Sequence, residues 1–313
     1  MLGAETIDKY LDESALKMNS ATKRDTRNML LNFFGQKPSI DFSDLTKDDL
    51  IEMYSGLSLM SINSFLTIKS KITDFARWMF EHGDCSKEAL TLFSDIQYFD
   101  IDRLAFYSTY YFRDITDLYS TLEEVFSERD SEFDTFKAAS ILVWNGIDIK
   151  LTPEILKSDL DVKNRTIIHP ATKEKICLES DPIATIYFLE QYRDAESYDT
   201  KKFGGGILPY AKSEYLLRSY KNAHFTPSQI SNISSSANRV AKEFGKIFQW
   251  NRIYLSGLYY RINQYEQDKH EIGEDIDMLK KFFELDKELT PMRKLTLIRK
   301  YTEYQEFKKA VYS

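Results

Sequence analysis

One stretch, residues 136–161, restricts the fold of this chain more than any other part of the sequence. Phe136, Ala139 and Leu142 recur at close to helical spacing, which predicts a helix with one apolar face. Gly146 stands where a helix of that length would end, because glycine adopts the left-handed backbone conformation at little cost. The sequence therefore predicts a packed helix that stops at Gly146.

The residues after Gly146 predict a second short helix and then a hairpin. Thr152 followed by Pro153 is a typical helix start, with the threonine as cap and the proline at the first helical position. The polar run Ser-Asp-Leu-Asp at 158–161 precedes a run of strand composition. Residues 167–178 continue that composition on both sides of a polar turn, which predicts a β-hairpin.

This order of elements resembles the first catalytic box of the tyrosine recombinases, the phage integrase family. That box has an apolar helix, then Gly-Leu-Arg, a second helix, and Ser-Asp-Ile-Asp before a β-hairpin. Here the corresponding residues are Gly146-Ile147-Asp148 and the run at 158–161, and the spacing between them fits without a gap. The resemblance covers nearly the whole chain and is most specific at this box.

The helices predicted before residue 84 are similar in order to the core-binding domain of the same family. They lie at 5–16, after a cap at Ser20, after a cap at Thr46, and at 61–83. Asp49 follows Thr46 by three residues and so predicts a capping box with aspartate in place of glutamate.

The resemblance implies a mainly α fold class. We expect an N-terminal helical core-binding (SAM-like) bundle and a C-terminal tyrosine-recombinase-like domain of helices with a small β-hairpin or sheet. The predicted domains are a DNA-binding, core-binding-like domain at 1–110 and a catalytically degenerate recombinase-like domain at 111–313.

Other residue types occupy the positions at which the family places its active-site groups. The degenerate positions are Asp148 (first arginine), Asn251 (histidine), Tyr254 (second arginine) and Tyr301 (nucleophile, with Tyr304 as the alternative). Attack of a tyrosine on a phosphodiester needs cationic donors, and losing one preorganised donor costs about a hundred- to a thousandfold in rate. The sequence therefore predicts no catalytic residue and a chain that is not an enzyme.

The candidate DNA contacts are basic and short polar residues. Those before residue 84 are implied by the resemblance, because the second and fourth helices of the family face DNA. The family keeps an active-site lysine on its hairpin, and the sequence does not choose between Lys173 and Lys175. A helix starting at Thr226-Pro227 carries short polar side chains, which suit base edges and phosphates but also suit any solvated helix face. The candidates are Lys23, Arg24, Arg27, Asn63, Lys69, Lys71, Lys173, Lys175, Arg218, Gln229, Asn232, Ser235, Asn238, Arg239, Lys242, Lys246 and Arg252.

The formal charge is distributed unevenly along the chain. The total is −7, but residues 201–261 contain ten basic and two acidic residues, so this segment carries +8 and the rest carries −15. Such asymmetry is typical of a basic face on an otherwise acidic protein. The alternative is that the basic residues cluster by chance on a solvated surface without a binding role.

The cysteine count and the hydropathy pattern restrict the compartment. Two cysteines, Cys85 and Cys177, form neither a disulfide framework nor a metal-ligand spacing, so we expect a reducing cytoplasm, no metal and no cofactor. No apolar run approaches 18 residues, which predicts neither a membrane span nor secretion.

A degenerate chain of this layout resembles the recombinase-fold lysogeny repressors of SPbeta-type temperate phages. The leading hypothesis is a sequence-specific repressor that binds double-stranded operator DNA in the bacterial cytoplasm, associated with the nucleoid. An active or diverged recombinase, and a helical interaction protein with no DNA role, are the alternatives. A second copy of the chain or a regulatory protein is a further candidate partner. The helix predicted at 294–312 would either dock on a neighbouring copy or close its own domain.

Overall fold

The computed structural model describes residues 4–14, 19–38, 42–57, 59, 62–101, 104–126, 133–178, 183–200, 206–268, 272–273, 275–283 and 290–312. The chain divides into two compact units, Met1–Phe106 and Tyr107–Ser313, called unit 1 and unit 2. The roles that the sequence assigns to its domains 1–110 and 111–313 stay predictions.

Unit 1 is helical in the residues described. Its helices are α1 (Ala4–Ser14), α2 (Ser20–Phe34), α3 (Lys47–Ser55), α4 (Ile62–Glu81) and α5 (Lys87–Asp95), and α6 (Leu104–Tyr110) begins in it. Its core is aromatic: the ring centroid of Phe34 lies 5.5 Å from that of Phe75 and 6.3 Å from that of Phe93, both with tilted or edge-on geometry. Such geometries place ring edges against ring faces and add to the free energy gained by burial.

The helix starts in unit 1 are set by side-chain caps. Thr46 and Asp49 form the predicted capping box, with the Asp49 N–H donating to Thr46 Oγ1 at 3.2 Å and the Thr46 N–H donating to Asp49 Oδ2 at 3.0 Å. The cap predicted for α2 was wrong by one residue. Asn19 rather than Ser20 is the cap, because its Oδ1 accepts the N–H of Thr22 at 2.8 Å.

Unit 2 is organised around one helix that is buried on every side. Its helices are α7 (Ile115–Phe126), α8 (Asp134–Trp144), α9 (Ile183–Asp194), α10 (Pro227–Ala241), α11 (Trp250–Asp268), α12 (Ile276–Phe282) and α13 (Pro291–Val311). Every α8 residue from Thr135 to Trp144 is buried, and α8 contacts α7, α9, α10 and α11. Most of its residues are apolar, as expected of an interior helix, and the buried Lys137 is paired with Glu123 and Asp134.

Two glycines allow this arrangement. Gly146, with φ +96°, turns the chain away after α8, as the sequence predicts. Gly257 lets α11 lie directly on the end of α8, because a Cβ at this position would stand 2.0 Å from the carbonyl oxygen of Trp144.

The strands of unit 2 are short and antiparallel. Strands β1 (Leu160–Asp161), β2 (Thr166–Ile168) and β3 (Lys175–Cys177) form one sheet in that order, with Ile167 opposite Ile176. The β2–β3 pair is the predicted hairpin. A second hairpin, β4 (Ser197–Thr200) with β5 (Gly206–Pro209), was not predicted.

The second short helix predicted from Thr152 is wrong. Two separate 3-10 turns, Thr152–Glu154 and Lys157–Asp159, form there in place of an α-helix. The backbone after the first turn pairs with a distant segment instead: the Leu216 N–H donates to the Ile155 carbonyl and the Lys157 N–H to the Glu214 carbonyl, each at 2.8 Å. These long-range bonds replace the helical ones, since a backbone N–H makes one good bond.

The predicted fold class is confirmed. The described residues are mainly α-helical, and small antiparallel sheets occur in unit 2 alone among them. None of the helices in the described ranges is both long and apolar enough to span a bilayer.

Candidate nucleic-acid interface

The helix α10 begins at the predicted cap. The Thr226 Oγ1 accepts the Gln229 N–H at 3.3 Å, the Gln229 Oε1 accepts the Thr226 N–H at 2.9 Å, and Pro227 occupies the first turn. This box and the proline fix the residue at which the helix starts, and so determine which of its side chains face solvent. The inner face, including Ile230 and Ala237, is fully buried against unit 2.

The outer face of α10 is a continuous polar and basic row. Its residues are all exposed, they recur at intervals of four, three, four and three residues, and we call them the α10 stripe: Ser228, Asn232, Ser235, Arg239 and Lys242. That spacing places them on one side of a helix. No acidic residue lies between Pro227 and Lys242. The helix α10 ends at Ala241, and Lys242 is its C-terminal cap and the first residue of a 3-10 turn that also contains the exposed Glu243. The stripe therefore presents two cations and three neutral hydrogen-bonding groups, with the first carboxylate directly after Lys242.

Three predicted contacts on or near α10 have structural partners. The Gln229 side chain completes the cap. The Asn238 amide donates to the Phe248 carbonyl at 2.8 Å and accepts the Phe248 N–H at 2.6 Å, which holds the turn after the helix. Lys246 Nζ donates to the Ser108 carbonyl at 2.8 Å. All three side chains therefore have partners within the fold, and direct DNA contact by them stays a prediction.

The sequence predicts that Arg218 contacts DNA, and this prediction is wrong because the residue is only 1% exposed. Its guanidinium donates to the carbonyls of Arg193 and Ala195, which lie at the C-terminal end of α9, and stands 4.8 Å from the ring centroid of Tyr210. A cation is stabilised there by the negative end of the helix dipole and by the aromatic face. Arg218 therefore holds the fold together and cannot reach DNA.

Arg252 is also engaged inside unit 2. Its guanidinium is half-buried, donates to the Tyr111 hydroxyl and lies 5.2 Å from the centroid of that ring. It is not part of the exposed stripe.

The β2–β3 hairpin presents both candidate lysines to solvent. Lys173 and Lys175 are exposed, and Lys173 adopts a left-handed φ of +61° in the turn. The turn is held by His169, whose Nδ1 accepts the N–H of Thr172 at 3.0 Å and of Ala171 at 3.3 Å. His169 is therefore a structural residue, and it makes the hairpin tip a defined platform for the two cations.

The candidates in unit 1 are largely paired with groups of their own unit. Ion pairs join Arg27 to Asp8 at 2.6 Å, Lys23 to Asp12 at 3.5 Å and Arg24 to Asp25 at 3.7 Å. Hydrogen bonding to Arg27 lowers the pKa of the Asp8 carboxyl. These pairs lie at the surface, where ion pairs contribute little to stability.

Lys69, Asn63 and Lys71 are the remaining predicted DNA contacts in unit 1. Lys69 Nζ donates to the carbonyls of Ser94 and Ile96 at 2.6 and 2.7 Å, which caps the end of α5. Asn63 is exposed on α4, and Lys71 is half-buried there. None of the unit 1 candidates forms a row comparable to the α10 stripe within the described residues.

Three degenerate active-site positions meet in one pocket. Asp148, Asn251 and Tyr254 line a cavity of about 180 Å³ with Val143, Ile149 and Trp250. Asp148 Oδ1 accepts the N–H of Lys150 at 2.8 Å, and both Asp148 and Asn251 are exposed. None of the described residues that line this pocket is basic. These three residues, of which Asp148 is more than a hundred positions from the other two, lie together in the structure, and Trp250, which no motif indicated, lines the same pocket.

The fourth degenerate position lies elsewhere. Tyr301 is not among the pocket-lining residues, its side chain is 5% exposed, and its hydroxyl contacts Glu266 and the N–H of Gly273. No sequence pattern had marked Glu266, since a single glutamate in a polar helix has no distinctive spacing.

Neither a family model nor a curated protein matches the chain. Solved structures of similar fold include XerA recombinase, 13% identical over 98% of this chain and 96% of that one, with a TM-score of 0.41. A lambda integrase dimer bound to a core site is 13% identical over 95% of each chain, with a TM-score of 0.35.

This comparison corrects one prediction. The sequence predicts that the chain is not an enzyme, and that prediction is wrong as stated, because the solved proteins of similar fold are an integrase and a recombinase. At these identities and TM-scores the likeness carries no argument about the substrate or partners of this chain, and no comparison supports the closer resemblance to a lysogeny repressor.

Proposed function

We propose that this protein binds double-stranded DNA at specific sequences through the α10 stripe. The observation that carries the proposal is the stripe itself: an exposed row of serine, asparagine, arginine and lysine side chains with no acidic residue between Pro227 and Lys242. The major groove is about 12 Å wide and admits a helix of this kind. Asn232 and Ser235 suit base edges, while Arg239 and Lys242 suit guanine or phosphate.

Two further features support a DNA surface on unit 2. The hairpin lysines, Lys173 and Lys175, are exposed cations on a fixed turn. Residues 201–261, which include the stripe, carry a formal charge of +8 in a chain whose total is −7. A positive surface on an acidic protein favours the phosphate backbone while the remainder repels nonspecific contact.

The finer role that we propose is transcription repression. A protein bound at an operator blocks access of the polymerase to the promoter, and the degenerate recombinase-like motifs resemble those of repressors that maintain lysogeny in temperate phages. On this proposal the protein is encoded by a prophage and acts at the nucleoid in the bacterial cytoplasm. Self-association on a paired operator would raise its occupancy, as linking two binding events does in general.

The proposal is tested by selection from a random duplex library, followed by titration of the selected duplex and a scrambled duplex across a salt series. We expect the selected duplex to bind more tightly at every salt concentration. The logarithm of the binding constant should fall linearly with the logarithm of salt concentration, with a slope of about −0.9 for each phosphate neutralised. A flat salt dependence, or equal binding of both duplexes, would overturn sequence-specific binding and favour a helical interaction protein.

DNA strand cleavage is a second candidate function. It is favoured by the convergence of Asp148, Asn251 and Tyr254, three positions that match recombinase active-site positions, on one pocket. The test is a nicked duplex that traps a covalent protein–DNA adduct on denaturing gels. An adduct lost in Tyr254→Phe or in Tyr301→Phe identifies the nucleophile, whereas binding without any adduct removes this candidate.

A further inference from the structure

We propose that the pocket formed by Asp148, Asn251 and Tyr254 binds the guanidinium group of an arginine side chain presented by a partner polypeptide. The inference is independent of DNA binding. It starts from the chemistry of the lining: one carboxylate, one carboxamide, an indole, a phenol and two aliphatic side chains.

The charge of the pocket selects a cation. Asp148 supplies a carboxylate with no ion pair among the described residues, and its one recorded bond, to the N–H of Lys150, occupies a single oxygen. None of the described residues that line the pocket is basic, so an anionic ligand would be repelled by Asp148 without a compensating cation in the lining. An arriving cation gains a charge-assisted hydrogen bond to Asp148.

The shape and the aromatic groups favour guanidinium over ammonium. Trp250 and Tyr254 are neighbours of Asp148 in the lining, and guanidinium stacks on aromatic faces while it donates in its own plane. The side-chain oxygen of Asn251, which is exposed, is a second acceptor for the same fork. An ammonium ion is more strongly hydrated and lacks the planar fork.

The volume matches a single side chain rather than a larger ligand. The pocket measures about 180 Å³. An engineered cavity of about 150 Å³ in another protein holds benzene, so this pocket accommodates a planar guanidinium and part of its alkyl stem. The rest of the ligand lies outside the pocket, where the backbone of a polypeptide that carries the arginine would continue.

The test uses the full chain without DNA and three capped amino acids: Nα-acetyl-arginine amide, the citrulline analogue, which is uncharged, and the lysine analogue, which is cationic but not planar. Binding is measured by titration calorimetry. The sequence contains three tryptophans, so the Trp250 indole N–H signal is assigned in nitrogen-15 spectra by its loss in Trp250→Phe. We expect saturable 1:1 binding of the arginine analogue and a change in the chemical shift of the Trp250 indole N–H.

The substitution that matters is Asp148→Asn. Its side-chain oxygen can still accept the Lys150 N–H, so the local turn is retained while the charge is lost. We expect affinity for the arginine analogue to fall about tenfold or more in this variant, because a charged hydrogen-bond partner is lost. The citrulline analogue should bind wild type about as weakly as the arginine analogue binds Asp148→Asn. Glu196→Gln, at an exposed acidic residue of unit 2 outside the pocket lining, is the matched control and should bind as wild type does.

Three results would contradict the binding of an arginine side chain in this pocket. Absence of saturable binding by the arginine analogue, or equal affinity of wild type and Asp148→Asn, removes the site. Equal binding of the lysine analogue removes the guanidinium assignment. Because DNA is absent throughout, none of these results bears on the α10 stripe.

Discussion

The phenolic hydroxyl of Tyr301 donates to Oε1 of Glu266 across 2.8 Å, and both side chains are buried. The other carboxylate oxygen accepts from the Tyr304 hydroxyl at 2.7 Å and from Lys308 Nζ at 2.9 Å, and the N–H of Ile272 donates to Oε1 at 3.1 Å. One carboxylate on α11 therefore fastens three side chains of α13. This places the C-terminal helix against its own unit, one of the two arrangements that the sequence left open.

Glu266→Ala is expected to destabilise unit 2 by about 2–4 kcal/mol, because it leaves two buried hydroxyls and one partly buried ammonium without this acceptor. The measurement is urea unfolding followed by tryptophan fluorescence and near-ultraviolet circular dichroism. Asp268→Ala, at an exposed acid of the same helix, is the control and should change the free energy of unfolding by less than about 0.5 kcal/mol. Equal effects of the two substitutions would show that the Glu266 cluster contributes nothing.

The same carboxylate predicts a pH dependence of stability. Burial raises the pKa of Glu266, but hydrogen bonds from Tyr304, Lys308, Ile272 and Tyr301 outweigh it, so the pKa lies below its ordinary value of 4.5. A lowered folded-state pKa contributes stability that is fully present above the unfolded pKa and is lost as pH falls through the folded pKa. We expect the free energy of unfolding to decline below about pH 4.5, and this component of the decline to be absent in Glu266→Gln.

Some of the fold can be predicted from local patterns, and the main failure comes from a contact between residues distant in sequence. The helix ending at Gly146, the Thr46 and Thr226 caps and the β2–β3 hairpin depend on neighbouring residues, and sequence spacing predicts them. The helix predicted after Thr152 does not form, because the backbone there pairs with residues 214–216, and no local pattern contains that pairing.

The candidate site divides in the same way. The grouping of Asp148, Asn251 and Tyr254 came from motif order and appears as one pocket. Arg218 was misassigned because its burial comes from the end of α9 and the ring of Tyr210, both brought to it by tertiary packing. A basic residue near aromatic residues in sequence does not reveal whether it faces solvent or the negative end of a helix.

Gly257→Ala tests the contact on which unit 2 is organised. The added Cβ would meet the Trp144 carbonyl at 2.0 Å, and a backbone oxygen at the end of a buried helix cannot move aside cheaply. We expect a loss of about 3 kcal/mol or more of unfolding free energy, seen as a lower urea midpoint. Gly206→Ala, where no atom of the described residues other than its chain neighbours lies within 4 Å of the added carbon, should leave the midpoint unchanged. A similar loss there would mean that the α8–α11 contact is not the cause.

Lys242→Gln is expected to weaken binding of all duplexes by a similar factor and to reduce the salt slope by about one, because a phosphate contact carries no sequence information. Anisotropy titrations of the selected and the scrambled duplex measure both effects. Lys281→Gln removes an exposed charge of the same sign on α12 and is the matched control, with no change expected. If both lysines have the same effect, the net charge of the protein rather than the α10 stripe determines affinity.

Asn232→Ala should act differently, because a carboxamide that reads a base edge discriminates between sequences. The amide can donate and accept toward adenine in the major groove, and losing such a pair costs about 1–3 kcal/mol against the correct base. We expect affinity for the selected duplex to fall about tenfold while affinity for the scrambled duplex and the salt slope stay as in wild type. Gln305→Ala, at an exposed amide on α13, should change neither duplex. A parallel loss on both duplexes would mean that Asn232 contacts the backbone, and the reading of sequence would then have to lie elsewhere on the α10 stripe.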